Sequence, residues 1–134
     1  MTVVDASAVV ELLVPSPTTN RDALLEALPE PGRPWLAPEI VVFEVFAVIR
    51  RHRLREKLTG PAAGQALHRL TRLPIELFPS GGLIGPAWRL RHNFGAADSL
   101  YVALAVQTAG TLLTADARLA RAAQAAGVTT RLVS

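Results

Sequence analysis

The chain has 134 residues, of which 50% are hydrophobic and 19% are charged, and this composition is typical of one globular domain rather than a disordered segment. It contains no cysteine, which excludes disulfide frameworks and zinc–thiolate sites. The formal net charge of +3 suits a polyanionic partner, although an arginine-rich composition also follows simply from a GC-rich genome. We expect a single domain spanning residues 1–134.

The chain carries no recognisable targeting signal. Its first residues lack the basic segment and the long apolar segment of a signal peptide. Its longest apolar runs, such as residues 100–106, are far shorter than the ~20 residues that a membrane span needs. We therefore expect a soluble, cytoplasmic protein with no membrane partner.

Short apolar segments alternate with helical patterns along the chain, and proline and glycine separate them. The predicted strands are residues 3–4, 35–37, 75–78, 111–115 and 128–133. The predicted helices are residues 6–14, 20–28, 39–58 (with Pro38 in the first turn), 59–73, 86–93, 96–109 and 117–126, and residues 79–82 are predicted to form a loop. This alternation predicts an α/β fold with a parallel sheet and helices on both faces.

Four carboxylates interrupt or border apolar segments, where an unpaired charge is costly. Asp5 follows the first strand and Asp116 follows the fourth, whereas Asp98 opens an apolar helix and Glu44 lies inside one. In open α/β sheets, ligand sites form beyond the carboxyl ends of the strands. If strands one and four are neighbours, Asp5 and Asp116 meet at that edge.

Whether the other two acids reach this edge depends on the helices that carry them. Asp98 lies in the first turn of the helix before strand four, which we expect to begin at the amino edge unless an extra element intervenes. The segment 86–93 supplies such an element and permits Asp98 to reach the cleft. The residues one turn away from Glu44 are apolar, so we expect its face to turn inward.

Four carboxylates in one cleft repel one another. At ~5 Å separation and an effective dielectric constant of ~20, each charged pair costs about 3 kcal/mol. Protonation or a bound cation relieves this repulsion. Oxygen-only ligands favour Mg²⁺ or Mn²⁺ over zinc or copper, and such a cation suits the hydrolysis of a phosphodiester.

Four segments carry a resemblance to a known family. They are residues 4–8 (VDASA), residues 44–50 (EVFAVIR) after Pro38, residues 95–105 (GAADSLYVALA) and residues 113–116 (LTAD). No single segment is very specific, but together, in this order and spacing, they resemble the PIN domain from residue 3 to about residue 133. The length and the arginine content look most like the VapC-type toxin ribonucleases of bacterial toxin–antitoxin pairs.

The resemblance implies a three-layer α/β/α fold whose five-stranded parallel sheet has the strand order 3-2-1-4-5. It implies Mg²⁺- or Mn²⁺-dependent cleavage of RNA by a homodimer, which a cognate antitoxin protein holds inactive. Many relatives carry Asn where this chain has Ala47, and we expect that departure to alter helix contacts rather than metal binding. The matching positions are four acids of the metal site and two hydroxyl residues beside them: Asp5, Glu44, Asp98 and Asp116, then Ser7 and Thr114.

Purely structural roles compete for each acid. Asp5 and Asp116 suit helix N-caps, Asp98 suits the first turn of a helix, and Glu44 suits a buried neutral side chain. The alternative function is a non-catalytic PIN-like module that binds RNA or a protein. A phosphoacceptor receiver domain lacks support because Ala6 stands where a second acid is needed, and a P-loop is excluded because no G-K-[S/T] occurs.

Surface features also allow more than one interpretation. The basic run at residues 50–57 suits RNA phosphates, an acidic antitoxin segment or simply a solvated helix end. Trp35 and Trp88 are expected in the core or at a dimer interface. The apolar side chains Val42, Phe43, Val45 and Phe46 are compatible with that interface.

Overall fold

Five parallel strands form one sheet at the centre of the protein, in a computed structural model that describes residues 1–134. The strands are β1 (Thr2–Val4), β2 (Trp35–Pro38), β3 (Ile75–Phe78), β4 (Thr111–Thr114) and β5 (Thr130–Leu132). Their order is β3-β2-β1-β4-β5, which confirms the predicted order. β1 and β4 are therefore neighbours, and Val3 pairs with Leu112.

Helices cover both faces of this sheet. They are α1 (Ala6–Leu13), α2 (Arg21–Glu26), α3 (Ile40–Leu54), α4 (Gly60–Leu70), α5 (Ile84–Arg89), α6 (Ala96–Thr108) and α7 (Ala117–Ala125). α1, α3 and α4 pack on one another, and α5 packs on α6. Because parallel crossovers are right-handed, the connections before and after the reversal in strand order lie on opposite faces. The predicted three-layer α/β/α architecture is confirmed.

Many predicted boundaries differ from the structure by one to four residues. Pro38 is the last residue of β2 rather than part of the helix that follows. α3 ends at Leu54, four residues earlier than predicted, because Glu56 adopts a left-handed φ of 59° that no helix continues. Part of the predicted loop at 79–82 forms a short 3₁₀ helix, Ser80–Leu83, so α5 begins directly after it at Ile84.

A cluster of 28 buried residues joins the sheet to the helices. Val3 and Leu112 on the central strands are completely buried. Trp35 is 1% exposed, and its Nε1–H donates to the Ala27 carbonyl at 2.7 Å, so it is a core residue. Trp88 on α5 is instead 65% exposed. None of the helices combines the length and apolar character that crossing a bilayer requires.

The junction between α6 and β4 has its glycine at position 110, although the left-handed conformation that favours glycine occurs at position 109. Ala109 ends α6 with a left-handed φ of 50°, whereas a Cβ on Gly110 would lie 3.0 Å from the Met1 carbonyl oxygen. We predict that Ala109→Gly raises the free energy of unfolding by about 1 kcal/mol and that Gly110→Ala lowers it. Urea denaturation of both variants measures these changes, and equal stabilities would contradict the prediction.

Candidate active site

The four acids lie on elements that meet at the carboxyl edge of the sheet. Asp5 directly follows β1, Asp116 follows β4 by two residues, and Glu44 lies in the second turn of α3. Asp98 lies in the first turn of α6. A helix that precedes a parallel strand runs from the carboxyl edge back to the amino edge, so the expectation that α6 would begin at the amino edge is wrong. Asp98 reaches this edge through the ordinary topology of the fold and does not require α5.

Asp5 is buried, and its carboxylate accepts three hydrogen bonds. Ser7 Oγ and Ala8 N–H donate to Oδ1 at 2.7 and 3.0 Å, and Thr114 Oγ1 donates to Oδ2 at 2.7 Å. The bond from Ala8 makes Asp5 the N-cap of α1, so its capping role and a role in the site are compatible. Both hydroxyl residues singled out from the sequence therefore contact Asp5.

The same two hydroxyl groups hold the turn that follows β4. The Ala115 N–H donates to Ser7 Oγ at 2.9 Å, and the Asp116 N–H donates to Thr114 Oγ1 at 3.0 Å. Each hydroxyl has only one proton, and an ionised Asp5 receives both of them. The 3.2 Å contact between the Ser7 and Thr114 oxygens is then not a hydrogen bond. The orientation of the Asp5 carboxylate thus fixes the backbone that leads to Asp116.

Burial and neighbouring charge disfavour ionisation in this cleft. Burial, with a smaller contribution from the charge of Asp98, raises the pKa of Asp5 to about 6 despite its three hydrogen bonds. Burial also raises the pKa of Asp98, Asp116 adds to that effect, and Arg118 opposes it. Asp5 interacts with Asp98 and Asp98 with Asp116, so the structure brings these three acids into one electrostatic group.

Glu44 joins this group through Tyr101, a residue that sequence reasoning missed. The Tyr101 hydroxyl donates to Glu44 Oε1 at 2.5 Å. Burial first, and then Glu44 and Asp5, raise the pKa of this phenol beyond its usual range, so it remains a donor. The available signal was its place three residues after Asp98 on α6, because such residues share a helical face.

Asp116 combines a structural role with a place in the cleft. Its Oδ1 accepts hydrogen bonds from the backbone N–H groups of Arg118 at 2.9 Å and Leu119 at 3.2 Å, which makes it the N-cap of α7. Both bonds use the same carboxylate oxygen, so Oδ2 is available to another ligand. Arg118 is a second residue that sequence reasoning missed, since its nearness to Asp98 depends on how α6 and α7 meet.

The acids do not form a closed metal cage. No group of three or more His, Cys, Asp or Glu side chains is arranged so that it could hold one metal ion. Mg²⁺ commonly binds through one or two carboxylates and keeps several waters, so it does not require such a group. The oxygen-only donors and the mutual repulsion of Asp5, Asp98 and Asp116 fit a hard divalent cation held in this way.

Known proteins match this chain along nearly its whole length. The PIN domain family model matches residues 2–125. Ribonuclease VapC1 of Mycobacterium tuberculosis is 39% identical over 124 residues, which cover 90% of this chain and 89% of that protein. Ribonuclease VapC9 of the same species is 34% identical over 125 residues, which cover 93% of each chain.

Solved structures share the fold at lower identity. PAE2754 of Pyrobaculum aerophilum has a TM-score of 0.67 and 16% identity, covering 96% of this chain and 87% of that chain. VapBC2 of Rickettsia felis, bound to a DNA fragment from their promoter, has a TM-score of 0.66 and 14% identity, covering 99% and 98%. Because the family match and the aligned relatives both span most of the sequence, this protein belongs to the PIN-domain family and is of the VapC type.

Proposed function

We propose that this protein is a Mg²⁺- or Mn²⁺-dependent endoribonuclease, acting as the toxin of a toxin–antitoxin pair. It hydrolyses RNA phosphodiester bonds at the cleft formed by Asp5, Glu44, Asp98 and Asp116. Residues 1–134 act as one PIN domain in the cytoplasm. The ribonuclease relatives support the reaction class, and the observation that carries the site is the electrostatic grouping of its acids at the carboxyl edge.

These grouped acids need a cation for two reasons: to relieve their own repulsion and to let an RNA phosphate bind beside them. Asp5, Asp98 and Asp116 would face an RNA phosphate with charge of the same sign, and their repulsion would oppose binding. A divalent cation among these carboxylates offsets most of their negative charge and offers the phosphate a positively charged ligand. An acidic cleft in a protein of net charge +3 therefore suits a polyanion only when the cleft holds a cation.

The residues around the cleft hold its acids in fixed orientations. Ser7 and Thr114 orient Asp5, and Tyr101 orients Glu44 through its hydrogen bond. Such preorganisation reduces the rearrangement that binding and reaction require. A bound Mg²⁺ or Mn²⁺ supplies a Lewis acid for the phosphate and lowers the pKa of a bound water. The carboxylates serve it best when ionised, and without a cation Asp5 ionises only above a pH of about 6.

Asp116→Asn tests the reaction and the site together. We predict a loss of Mn²⁺-dependent RNA cleavage of about 100-fold or more, because the variant lacks one charge needed to hold the cation. The fold should persist, since Asn caps a helix as well as Asp does. The measurement is cleavage of total bacterial RNA by purified protein in Mn²⁺ or in EDTA.

The matched control is Asp22→Asn, which changes the one remaining aspartate of the chain. Asp22 is exposed in the first turn of α2, so this variant should cleave as the unmodified protein does. Equal cleavage by the Asp116→Asn protein would contradict the proposed site. RNA binding without metal-dependent cleavage by the unmodified protein would instead favour the non-catalytic binding module.

The raised pKa of Asp5 predicts how the stability of the metal-free protein depends on pH. Its pKa of about 6 in the folded chain lies above the ordinary value of 3.8, so between these values the folded chain holds a proton that the unfolded chain has released. Stability therefore falls as pH rises, and Asp5 alone lowers the free energy of unfolding by about 3 kcal/mol once the pH exceeds its raised pKa. We predict that Asp5→Asn becomes relatively more stable than the unmodified protein over this interval.

Thermal melting in EDTA at a series of pH values measures that difference, because the other groups titrate similarly in both proteins. Mn²⁺ at ~100 times its Kd should then stabilise the unmodified protein by about 2.7 kcal/mol at neutral pH. The effect should be much smaller below the ordinary pKa of 3.8, where Asp5 is protonated in both states. A pH-independent difference between the two proteins would contradict the assigned environment of Asp5.

We also propose an antitoxin protein and a second copy of the chain as partners. The VapC relatives and the similar VapBC2 structure support the antitoxin. The outer face of α3 supports the homodimer, because Val42, Phe43 and Phe46 are exposed there. Val45, which we expected on this face, is buried. The face continues into a groove of about 530 Å³ whose rim includes Arg50.

A further inference from the structure

Trp88 presents a large aromatic surface that the packing of the fold does not use. It is 65% exposed on α5, whereas Trp35, the other tryptophan, is buried and hydrogen-bonded in the core. Trp88 is therefore neither a core residue nor, within this chain, covered by another element. An exposed indole offers a flat apolar plane with a polar edge, which is the geometry that stacking ligands use.

Arg91 fixes this plane in position. Its guanidinium carbon lies 4.5 Å from the centroid of the Trp88 ring, and its Nη1–H donates to the Trp88 carbonyl at 3.0 Å. The cation packs against the ring, and Trp88 as a whole keeps 65% of its surface exposed to a ligand. Because both side chains are already ordered, a ligand that stacks on the exposed ring has less conformational entropy to remove.

The segment that carries this pair begins and ends at the same edge of the sheet as the acids, after β3 and at the start of α6. The 3₁₀ helix that leads into α5 is anchored there, since the Ser80 N–H donates to Glu39 Oε1 just beyond β2. α5 packs on α6, and the short turn between them is closed by a 3.1 Å bond from the Phe94 N–H to the Leu90 carbonyl. One turn and the ends of two packed helices therefore separate Trp88 from Asp98.

The charge around the ring matches a nucleic acid. Arg89, Arg91 and His92 surround Trp88 in the sequence, and neither arginine forms a salt bridge. Single-stranded RNA combines aromatic base faces with phosphate charges, and proteins bind it with stacked aromatic and basic side chains. Building on the proposed function, we propose that Trp88 and Arg91 form a binding site for one unpaired base of the RNA substrate, beside the carboxylate cleft.

A neighbouring apolar residue allows experiments to distinguish a base-binding site from a protein-binding face. Ile84 lies one turn before Trp88 on α5 and is also exposed. A protein partner packed on α5 would bury both side chains. A stacked base needs the aromatic plane of Trp88 and gains little from Ile84, so the two occupants predict different effects of substitution.

The test is binding of a labelled oligoadenylate, measured by fluorescence anisotropy in Mg²⁺ with Asp116→Asn protein so that the RNA stays intact. We predict that Trp88→Leu weakens binding about tenfold and that Trp88→Phe, which keeps an aromatic ring, weakens it less. An abasic oligomer with the same sugar–phosphate backbone should bind all three proteins equally. Circular dichroism melts verify that each variant folds. We expect folding to be retained because Trp88 is exposed and its substitution removes little core packing.

Two controls distinguish base stacking from a general electrostatic attraction between arginine and RNA. Arg91→Gln should weaken oligoadenylate binding more than Arg72→Gln, which removes the same charge from the opposite edge of the sheet, after α4. Tryptophan emission should be quenched when oligoadenylate binds, and Trp88→Phe should abolish the quenching. Trp35 then provides an unquenched reference because it is buried.

Equal affinities of the Trp88→Leu and unmodified Trp88 proteins for oligoadenylate would overturn the proposal. An equal loss of affinity for the abasic oligomer would also overturn it. A shift in sedimentation that both Ile84→Ala and Trp88→Leu reverse would assign this face to self-association instead. Failure of the proposed reaction is seen separately, as absent Mn²⁺-dependent cleavage by protein with Asp116 intact, whereas the stacking readout needs no cleavage.

Discussion

The hydrogen bond from Thr114 to Asp5 joins the ends of two strands that are adjacent in the sheet and distant in the sequence. Asp5 draws the Ser7 and Thr114 hydroxyls toward itself, and their oxygens in turn accept the backbone amides that lead to Asp116. One buried carboxylate thus sets the start of α1, the end of β4 and the start of α7. The cleft exists because strand order places these three points together.

This arrangement has a cost for the metal-free chain. A carboxylate that is buried beside another is harder to ionise, and the pKa values of Asp5 and Asp98 are raised for this reason. Natural proteins place such unfavourable groups where function needs them and stabilise the fold elsewhere. Here the compensating element is the apolar core, in which Val3 and Leu112 pair across β1 and β4.

The sequence predicted the elements, and most of their limits to within one residue, because periodicity and capping are local properties. The acids were also recognisable, because each borders or interrupts an apolar segment, whereas the strand order came from the family resemblance. The end of α3 was missed because nothing in the local sequence requires Glu56 to adopt a left-handed φ. Tyr101 was missed, and Trp88 was left open between the core and a dimer interface, because both depend on which helices meet, and that is a tertiary property.

The contact between Thr114 and Asp5 spans 109 positions of the chain, which has a consequence for the time at which the cleft appears. Contacts between distant residues form late in folding, because a long loop must close before they can be made. Ribosomes add about 5–20 residues per second, so Asp5 is synthesised several seconds before Thr114 and Asp116. A nascent chain therefore has no assembled cleft, and the ribosome that makes this protein is not exposed to that cleft until Thr114 and Asp116 have been synthesised.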